Sequence, residues 1–233
     1  MKALNKAEVV TGKNQDREDH LKEIHLVMDI DSVQNVKITM AMPAGLETLV
    51  DYVLEMVEGT KDFEKDMYGY TYHDLFAENI DFVINKLKED PNTRQATLHV
   101  SNQQAARLND PPCLQLIHYT VKNAKLNTNV VFRSNDGVKA VAMNVFALIE
   151  LSRYIAREAG IKELGTYTHN AISYHAYSRD WAALEGYCKM FDQKDCTIDY
   201  GDYLEVYDEY ADESREKCKK LQKAQEEKRR YKC

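Results

Sequence analysis

The feature that most constrains the fold is a long apolar helical stretch between two alternating stretches. Residues 143–158 (MNVFALIELSRYIARE) repeat apolar side chains at helical spacing, and their first half is apolar nearly all round. This pattern predicts a buried helix that stops at Gly160. Residues 126–132 before it alternate as a β-strand does, and a further strand is predicted over 171–177 after it.

Other stretches extend this pattern towards the N-terminus. Strands are predicted over 21–28, 36–42, 96–100 and 114–121, and helices over 46–57 and 75–88. The polar residues 1–20 are predicted to be loosely held. Strands and helices in this order favour an α+β fold in which a large mixed β-sheet packs against helices.

The chain is predicted to contain one catalytic domain, residues 1–198, followed by a charged tail, residues 199–233. A length of 233 residues suits one domain with a sizeable core. The tail is acidic over 199–213 and basic over 215–232. Opposite charges at helical spacing predict a solvated helix, and a basic docking segment is the alternative.

Composition excludes several classes of protein. The net charge of −7 argues against nucleic acid as the main partner. No apolar run approaches the roughly 20 residues of a membrane helix, and the N-terminus lacks the apolar core of a signal peptide. Five cysteines without regular spacing indicate a reducing, cytoplasmic setting. The scattered histidines predict no metal site.

A cysteine and an arginine in the middle of the chain carry the chemical signal. Cys113 follows two prolines in DPPC (110–113), and Arg133 follows in FRSND (132–136). A free thiol has a pKa of about 8.5, and only its thiolate attacks carbon. A nearby guanidinium would lower that pKa and could also bind a phosphate.

With Asn144 and SYHAYSRD (173–180), these residues resemble thymidylate synthase and its sister pyrimidine-nucleotide hydroxymethylases. The resemblance runs from about 94 to 180, is strongest over 110–151, and is closest to the short archaeal-type synthases. It implies the thymidylate synthase fold and a homodimer that pairs sheet to sheet. It also implies 5,10-methylenetetrahydrofolate as co-substrate and no metal.

The resemblance assigns the nucleophile and the phosphate site. Cys113 would add to carbon 6 of the pyrimidine, although an arbitrary cysteine in mid-chain is more often a small buried hydrophobe. Arg133 and Ser134 would hold the 5′-phosphate. Arg94 would reach that phosphate across the dimer, and Arg17 would contact it from an N-terminal loop, unless it is an ordinary surface charge.

The resemblance also assigns the groups that bind base, sugar and folate. Asn144 matches the residue that reads the base, and its amide suits uracil, whereas a carboxylate there would suit cytosine; a helix cap is the alternative. His175 and Tyr177 match the pair that binds the sugar 3′-hydroxyl, although either could be a satisfied core residue. Asp136 matches a carboxylate that contacts the pterin ring, although it could be an ordinary turn residue.

A proton relay is expected beside the nucleophile. Tyr68 matches a Tyr-Gly dipeptide near this relay, and Glu55 is the preferred relay carboxylate. Asp51 and Glu58 on the same helix are alternatives, and a solvated carboxylate is the simplest interpretation of all three.

The function expected from these residues is methylation of deoxyuridylate to thymidylate. A hydroxymethylase acting on UMP, dUMP, dCMP or CMP with the same nucleophile is the first alternative, and a catalytically silent nucleotide-binding homologue is the second. Two departures from the family pattern bear on whether a methyl or a hydroxymethyl group is formed. The sequence ends RRYKC, which is too polar for the apolar segment that closes over the folate in the family's synthases. Trp181 follows the predicted sugar-binding segment and is not among the aromatic residues on the folate side.

Overall fold

A six-stranded β-sheet forms the centre of the protein in a computed structural model. The structure describes residues 1–14, 17–31, 33–193 and 196–230, without the side chains of 12–14, 17, 18, 229 and 230. In chain order the elements are α1 (Lys2–Asn5), β1 (Val9–Asn14), β2 (Arg17–Ile30), β3 (Ile38–Thr39), α2 (Leu46–Glu58), α3 (Lys65–Tyr68), α4 (Tyr72–Phe76), α5 (Ile80–Glu89), β4 (Thr97–His99), β5 (Leu114–Lys122), β6 (Lys125–Asp136), α6 (Val141–Ala159), β7 (Glu163–Tyr177), α7 (Trp181–Gln193), β8 (Thr197–Ile198) and α8 (Tyr200–Arg230).

The sheet is mixed, in the order β1-β2-β7-β6-β5-β4. Its neighbours are antiparallel except for β6 and β7, which are parallel and joined by the crossover helix α6. This parallel register places Ser134 opposite Ser173 and Asp136 opposite His175. The short strands β3 and β8 form a separate two-stranded sheet. The predicted α+β fold with a large mixed sheet is confirmed.

The core lies between one face of the sheet and the helices. α6 packs against β6 and β7, and α2 and α5 pack against α6. α2 buries apolar residues at helical spacing and ends at Gly59, whose φ of 66° is the left-handed conformation that glycine adopts easily. On the opposite face of the sheet, Val27 and Ile172 are each 57% exposed. One face of the sheet therefore buries its apolar side chains within the chain, and the other presents some of them outwards.

The charged tail forms the long helix α8, and one face of its first half is buried. Tyr203 is fully buried and meets the ring of Phe146 edge to face at 4.9 Å. Arg215 pairs with Glu58 of α2 at 2.8 Å. The beginning of the tail is therefore packed on α2 and α6. None of the described helices combines the length and apolarity needed to cross a membrane.

Most of the predicted elements are confirmed, with three corrections. The strand expected over 36–42 is reduced to Ile38–Thr39. The helix expected over 75–88 is divided into α4 and α5 by a 3₁₀ turn at Ala77–Asn79. Within the N-terminal stretch, Val9–Asn14 forms an edge strand, although this stretch was expected to be loosely held.

Candidate active site

Cys113 and Arg133 lie together where β5 begins and β6 approaches its end. The backbone N–H of Arg133 donates to the carbonyl of Cys113 at 2.8 Å. The guanidinium donates through Nη2 to the carbonyl of Pro111 at 2.5 Å and through Nε to that of Pro112 at 3.1 Å. Because a guanidinium has five N–H donors, these two bonds orient the side chain and leave donors for an anion.

The environment of Cys113 keeps its thiol in the neutral form. Burial raises the pKa of the Cys113 thiol, the Arg133 guanidinium lowers it, and the carboxylate of Asp110 raises it, so that the pKa lies above its ordinary value. The arginine therefore acts in the expected direction, but burial outweighs it. In the free protein the thiolate is the minor form at neutral pH.

Two tyrosines beside Cys113 were not identified from the sequence. The hydroxyl of Tyr72 accepts a bond from the N–H of Leu114 at 3.4 Å, and the Tyr70 ring lies 5.8 Å from the Tyr72 ring. Burial is the main cause that raises the pKa of the Tyr70 and Tyr72 hydroxyls, and the pKa of Tyr70 is raised to about 12. A charge on Cys113 also raises both pKa values. Tyr68, the residue expected here, is 68% exposed at the end of α3. The alternating YGYTY pattern over 68–72 is the signal that could have indicated its neighbours.

Asn144 lies inside the second turn of α6 and is 6% exposed. Its Oδ1 accepts from the hydroxyl of Tyr52 at 2.5 Å, and its Nδ2 donates to Oδ1 of Asn135 at 3.3 Å. The first residue before the helix is Ala140, so Asn144 is not the helix cap that was the alternative interpretation. Its amide is instead held in place by side chains from α2 and β6.

His175, Tyr177 and Ser134 lie together across the parallel pair of strands β6 and β7. Nδ1 of His175 lies 3.4 Å from Oγ of Ser134, and the His175 ring meets that of Tyr177 edge to face at 4.9 Å. His175 is buried, and Tyr177 and Ser134 are half-buried. These three side chains therefore form one polar surface beside the strand that carries Arg133.

Asp136 ends β6 and holds the turn that leads to α6. Its Oδ1 accepts from the N–H groups of Val138 at 2.8 Å and Lys139 at 2.9 Å, as in an ordinary turn. Burial raises the pKa of Tyr177, and the charge of Asp136 raises it further. A carboxylate fixed in this way, opposite His175, is suited to accept an N–H from a heterocycle.

Lys61 lies between two of the three carboxylates of α2 that could serve as a relay, 3.3 Å from Asp51 and 3.2 Å from Glu55. Glu58 pairs with Arg215 at the surface, and Asp51 accepts a hydrogen bond from Ser214 of α8. Glu55 pairs with Lys61 at 3.2 Å, and burial raises its pKa more than the lysine lowers it. A carboxyl with a raised pKa can both give and take a proton nearer neutral pH.

The two remaining arginines of the predicted site are on other elements of the chain. Arg94 lies on the exposed loop before β4, next to Thr93 and Gln95. Arg17 is the first residue of β2, and its side chain lies outside the described part of the chain. Among the described residues, no group of three or more His, Cys, Asp or Glu could hold a metal ion.

Known proteins resemble this chain in sequence and in fold. A sequence model described as thymidylate synthase matches residues 55–216. A Methanocaldococcus jannaschii protein named "Putative thymidylate synthase" is 31% identical over 201 residues, which are 80% of this chain and 88% of that protein. A Methanosarcina mazei protein of the same name is also 31% identical, over 79% of this chain and 86% of its own length.

A solved structure shares the fold. The thermostable thymidylate synthase A from Bacillus subtilis superposes with a TM-score of 0.60 over 77% of this chain and 75% of its own. The two sequences are 22% identical over this region, so the likeness concerns the fold alone.

Proposed function

Because the chain belongs to the thymidylate synthase family, a family of transferases, we propose that it methylates deoxyuridylate at carbon 5 to give thymidylate. The observation that carries this proposal is the pairing of Cys113 with Arg133, which joins a nucleophile to an anion-binding group. The co-substrate we propose is 5,10-methylenetetrahydrofolate, the one-carbon donor that the family uses.

The phosphate and sugar would lie along β6 and β7. Arg133 would bind the 5′-phosphate with the N–H donors that it does not give to the proline carbonyls, and Ser134 would add a hydroxyl donor. His175 and Tyr177 would hold the 3′-hydroxyl, since they share a polar surface with Ser134. Arg17 would contribute a further cation from the start of β2.

The base would be read by Asn144. Its amide donates one bond and accepts one bond within the protein, which leaves one hydrogen and one lone pair. These match the 4-carbonyl and N3–H of uracil. A cytosine would present an amino group and a bare nitrogen instead, and the match would be lost.

The reaction would begin at Cys113. Its thiolate would add to carbon 6 of the pyrimidine, which places negative charge on the 4-carbonyl oxygen and makes carbon 5 nucleophilic. Carbon 5 would then attack the methylene group of the folate. Glu55 would take up the carbon 5 proton through the relay beside Asn144 as the bond from the methylene to the folate nitrogen breaks, and hydride transfer to the resulting exocyclic methylene would release the thiolate. The reduced folate supplies the one-carbon unit and, for methylation, the hydride, with Asp136 as the acceptor for its pterin ring.

The active form would be a homodimer that buries the outer face of the sheet. Val27 and Ile172 lie on neighbouring strands of this face, and each exposes more than half of its surface. Arg94 would reach the partner's phosphate site, which accounts for its position away from Cys113.

The proposal is tested by incubating the protein with deoxyuridylate and methylenetetrahydrofolate and resolving the nucleotide by mass spectrometry. A gain of CH₂ supports methylation, and a gain of CH₂O shows a hydroxymethylase. With 5-fluorodeoxyuridylate and the folate, we expect a covalent adduct on the peptide that contains Cys113. Binding of the nucleotide without product or adduct would show a silent homologue and overturn the proposal.

A further inference from the structure

A row of buried side chains behind Asn144 has no assigned role. Nδ2 of Asn135 lies 2.9 Å from Nε2 of His169, and Nδ1 of His169 lies 3.0 Å from the hydroxyl of Tyr167. His169 and Tyr167 are fully buried, and Asn135 is 3% exposed. With the bonds from Tyr52 to Asn144 and from Asn144 to Asn135, five side chains form one continuous chain of hydrogen bonds.

The chemistry of these groups fixes the direction of every bond. The Asn144 Oδ1 only accepts, so the Tyr52 hydroxyl must donate to it. The Asn144 Nδ2 only donates, so the oxygen of Asn135 faces it and the nitrogen of Asn135 faces His169. Nε2 of His169 must therefore be unprotonated.

The ring proton of His169 then lies on Nδ1 and is donated to Tyr167. His169 also stacks on Phe132 with ring centres 5.0 Å apart. Burial lowers the pKa of His169 to about 4, so the ring is neutral over the physiological range. A neutral ring with one bare nitrogen is the form that the chain of bonds requires.

Reversal of the Asn144 amide would break this order. Its oxygen would then face the oxygen of Asn135, and two acceptors at hydrogen-bond distance repel each other. Asn135 could relieve the conflict only by turning over, which would require His169 to carry its proton on Nε2. The orientation of Asn144 is therefore fixed by buried residues next to it in the row, Asn135 and His169.

We propose that Asn135 and His169 are positioning residues that orient the Asn144 amide and thereby set the preference for uracil over cytosine. This inference rests on the proposed function and deepens it. The signal in the sequence is the third residue of the RSND string, together with a histidine at the middle of the following strand.

Two substitutions of similar size separate positioning from packing. Asn135→Asp keeps an acceptor opposite Asn144, and His169 can meet the new carboxylate by moving its proton to Nε2. Asn135→Leu removes the acceptor. The measured quantities are the dissociation constants for deoxyuridylate, deoxycytidylate and deoxyribose 5-phosphate, which lacks a base.

We expect the ratio of deoxyuridylate to deoxycytidylate affinity to fall about tenfold or more in Asn135→Leu, because a buried donor loses its partner. In Asn135→Asp the ratio should stay within about threefold of the wild type. Affinity for deoxyribose 5-phosphate should be unchanged in both variants. General misfolding would weaken the binding of this ligand too, so an unchanged value confines the effect to recognition of the base.

A second pair keeps the inference testable if Asn135→Leu does not fold. His169→Gln retains an acceptor for Asn135, whereas His169→Phe does not. We expect the ratio of deoxyuridylate to deoxycytidylate affinity to fall in His169→Phe and to stay near the wild-type value in His169→Gln. Equal ratios in the acceptor and non-acceptor variants would overturn the positioning role. Failure of the wild type to bind deoxyuridylate or to form the 5-fluorodeoxyuridylate adduct would instead overturn the proposed function, and this inference with it.

Discussion

Around Asn144 the buried polar side chains bond mainly to one another, whereas around Cys113 a guanidinium bonds to backbone carbonyls and a thiol lies near two tyrosines. The Asn144 end draws side chains from α2, β6, α6 and β7 into one bonded row. The Cys113 end has a guanidinium over two prolines and a thiol that burial keeps neutral. On the proposed function, the groups that read the base are arranged before the substrate arrives, and the reactivity of the thiol is low in the free protein.

The largest effect should come from the reacting end. Cys113→Ser should lower turnover by at least about a thousandfold, because an alcohol is a far weaker nucleophile than a thiolate. Deoxyuridylate affinity, measured by calorimetry, should change little, because binding relies on other groups. Cys188→Ser, at a buried cysteine of α7, is the control. Retention of most product formation by Cys113→Ser would end the covalent mechanism.

Arg133 is expected to act on both the phosphate of the substrate and the thiol of Cys113. Arg133→Met should weaken deoxyuridylate binding by about 10- to 100-fold, because charge-assisted bonds to the phosphate are lost. It should also raise the pKa of Cys113 further, because the guanidinium lowers that pKa and burial would then act with less opposition.

The pH dependence is measured by alkylating Cys113 with iodoacetamide and following the modified peptide. Alkylation should accelerate as pH rises, with a midpoint above that of a free thiol, and the midpoint should lie higher still in Arg133→Met. Arg133→Lys keeps the charge and is the matched control. An unchanged midpoint in Arg133→Met would show that the guanidinium does not act on the thiol.

A substitution at Asn144 should alter the preference between deoxyuridylate and deoxycytidylate more than it alters the reaction rate. Asn144→Asp removes the donor for the 4-carbonyl and places an oxygen opposite the oxygen of Asn135. An unsatisfied buried group costs roughly 1–3 kcal/mol, so relative specificity should move about tenfold towards deoxycytidylate. The measurement is kcat/KM for both nucleotides. An equal loss on both would mean that Asn144 supports the helix and does not choose the base.

The smallest signal should come from mixed dimers. If Arg94 acts across the interface, inactive Arg94→Ala mixed with inactive Cys113→Ser should recover activity, because some mixed dimers have one intact site. Random exchange makes half of the dimers mixed, so about a quarter of wild-type activity is expected. No recovery, with subunit exchange shown by mass spectrometry, would place Arg94 outside the partner's site.

Periodicity in the sequence was enough to predict the helices and strands that bury one face. Residues 126–132 alternate cleanly and form part of β6, and 143–158 form most of α6, which ends at Gly160 with a φ of 77°. The pattern over 36–42 misleads because only Ile38 and Thr39 find a partner strand. The helix expected over 75–88 is interrupted because its first turns belong to a separate short helix capped by Thr71.

Residues of the candidate site could be predicted where they belong to a short sequence motif, as Cys113 and Arg133 do. They could not be predicted where neighbours come from distant elements. Nothing in the local pattern places Tyr72 at the backbone of Leu114, 42 residues away, or His169 against Asn135, 34 residues away. The first contact joins α4 to β5, and the second joins β6 to β7, whose parallel pairing the sequence pattern does not specify.

That parallel pairing also bears on how the protein reaches its folded state. Antiparallel strands can pair once a short turn forms, but β6 and β7 can pair only after α6 has crossed over between them. Such a closure loses chain entropy before its contacts form, so it is a slow step. Asn135, Asn144 and His169 come from the strand, the helix and the strand of this one unit. A partly folded chain would therefore carry Cys113 without the groups proposed to read the base, and the proposed site would be complete only once β6 and β7 have paired.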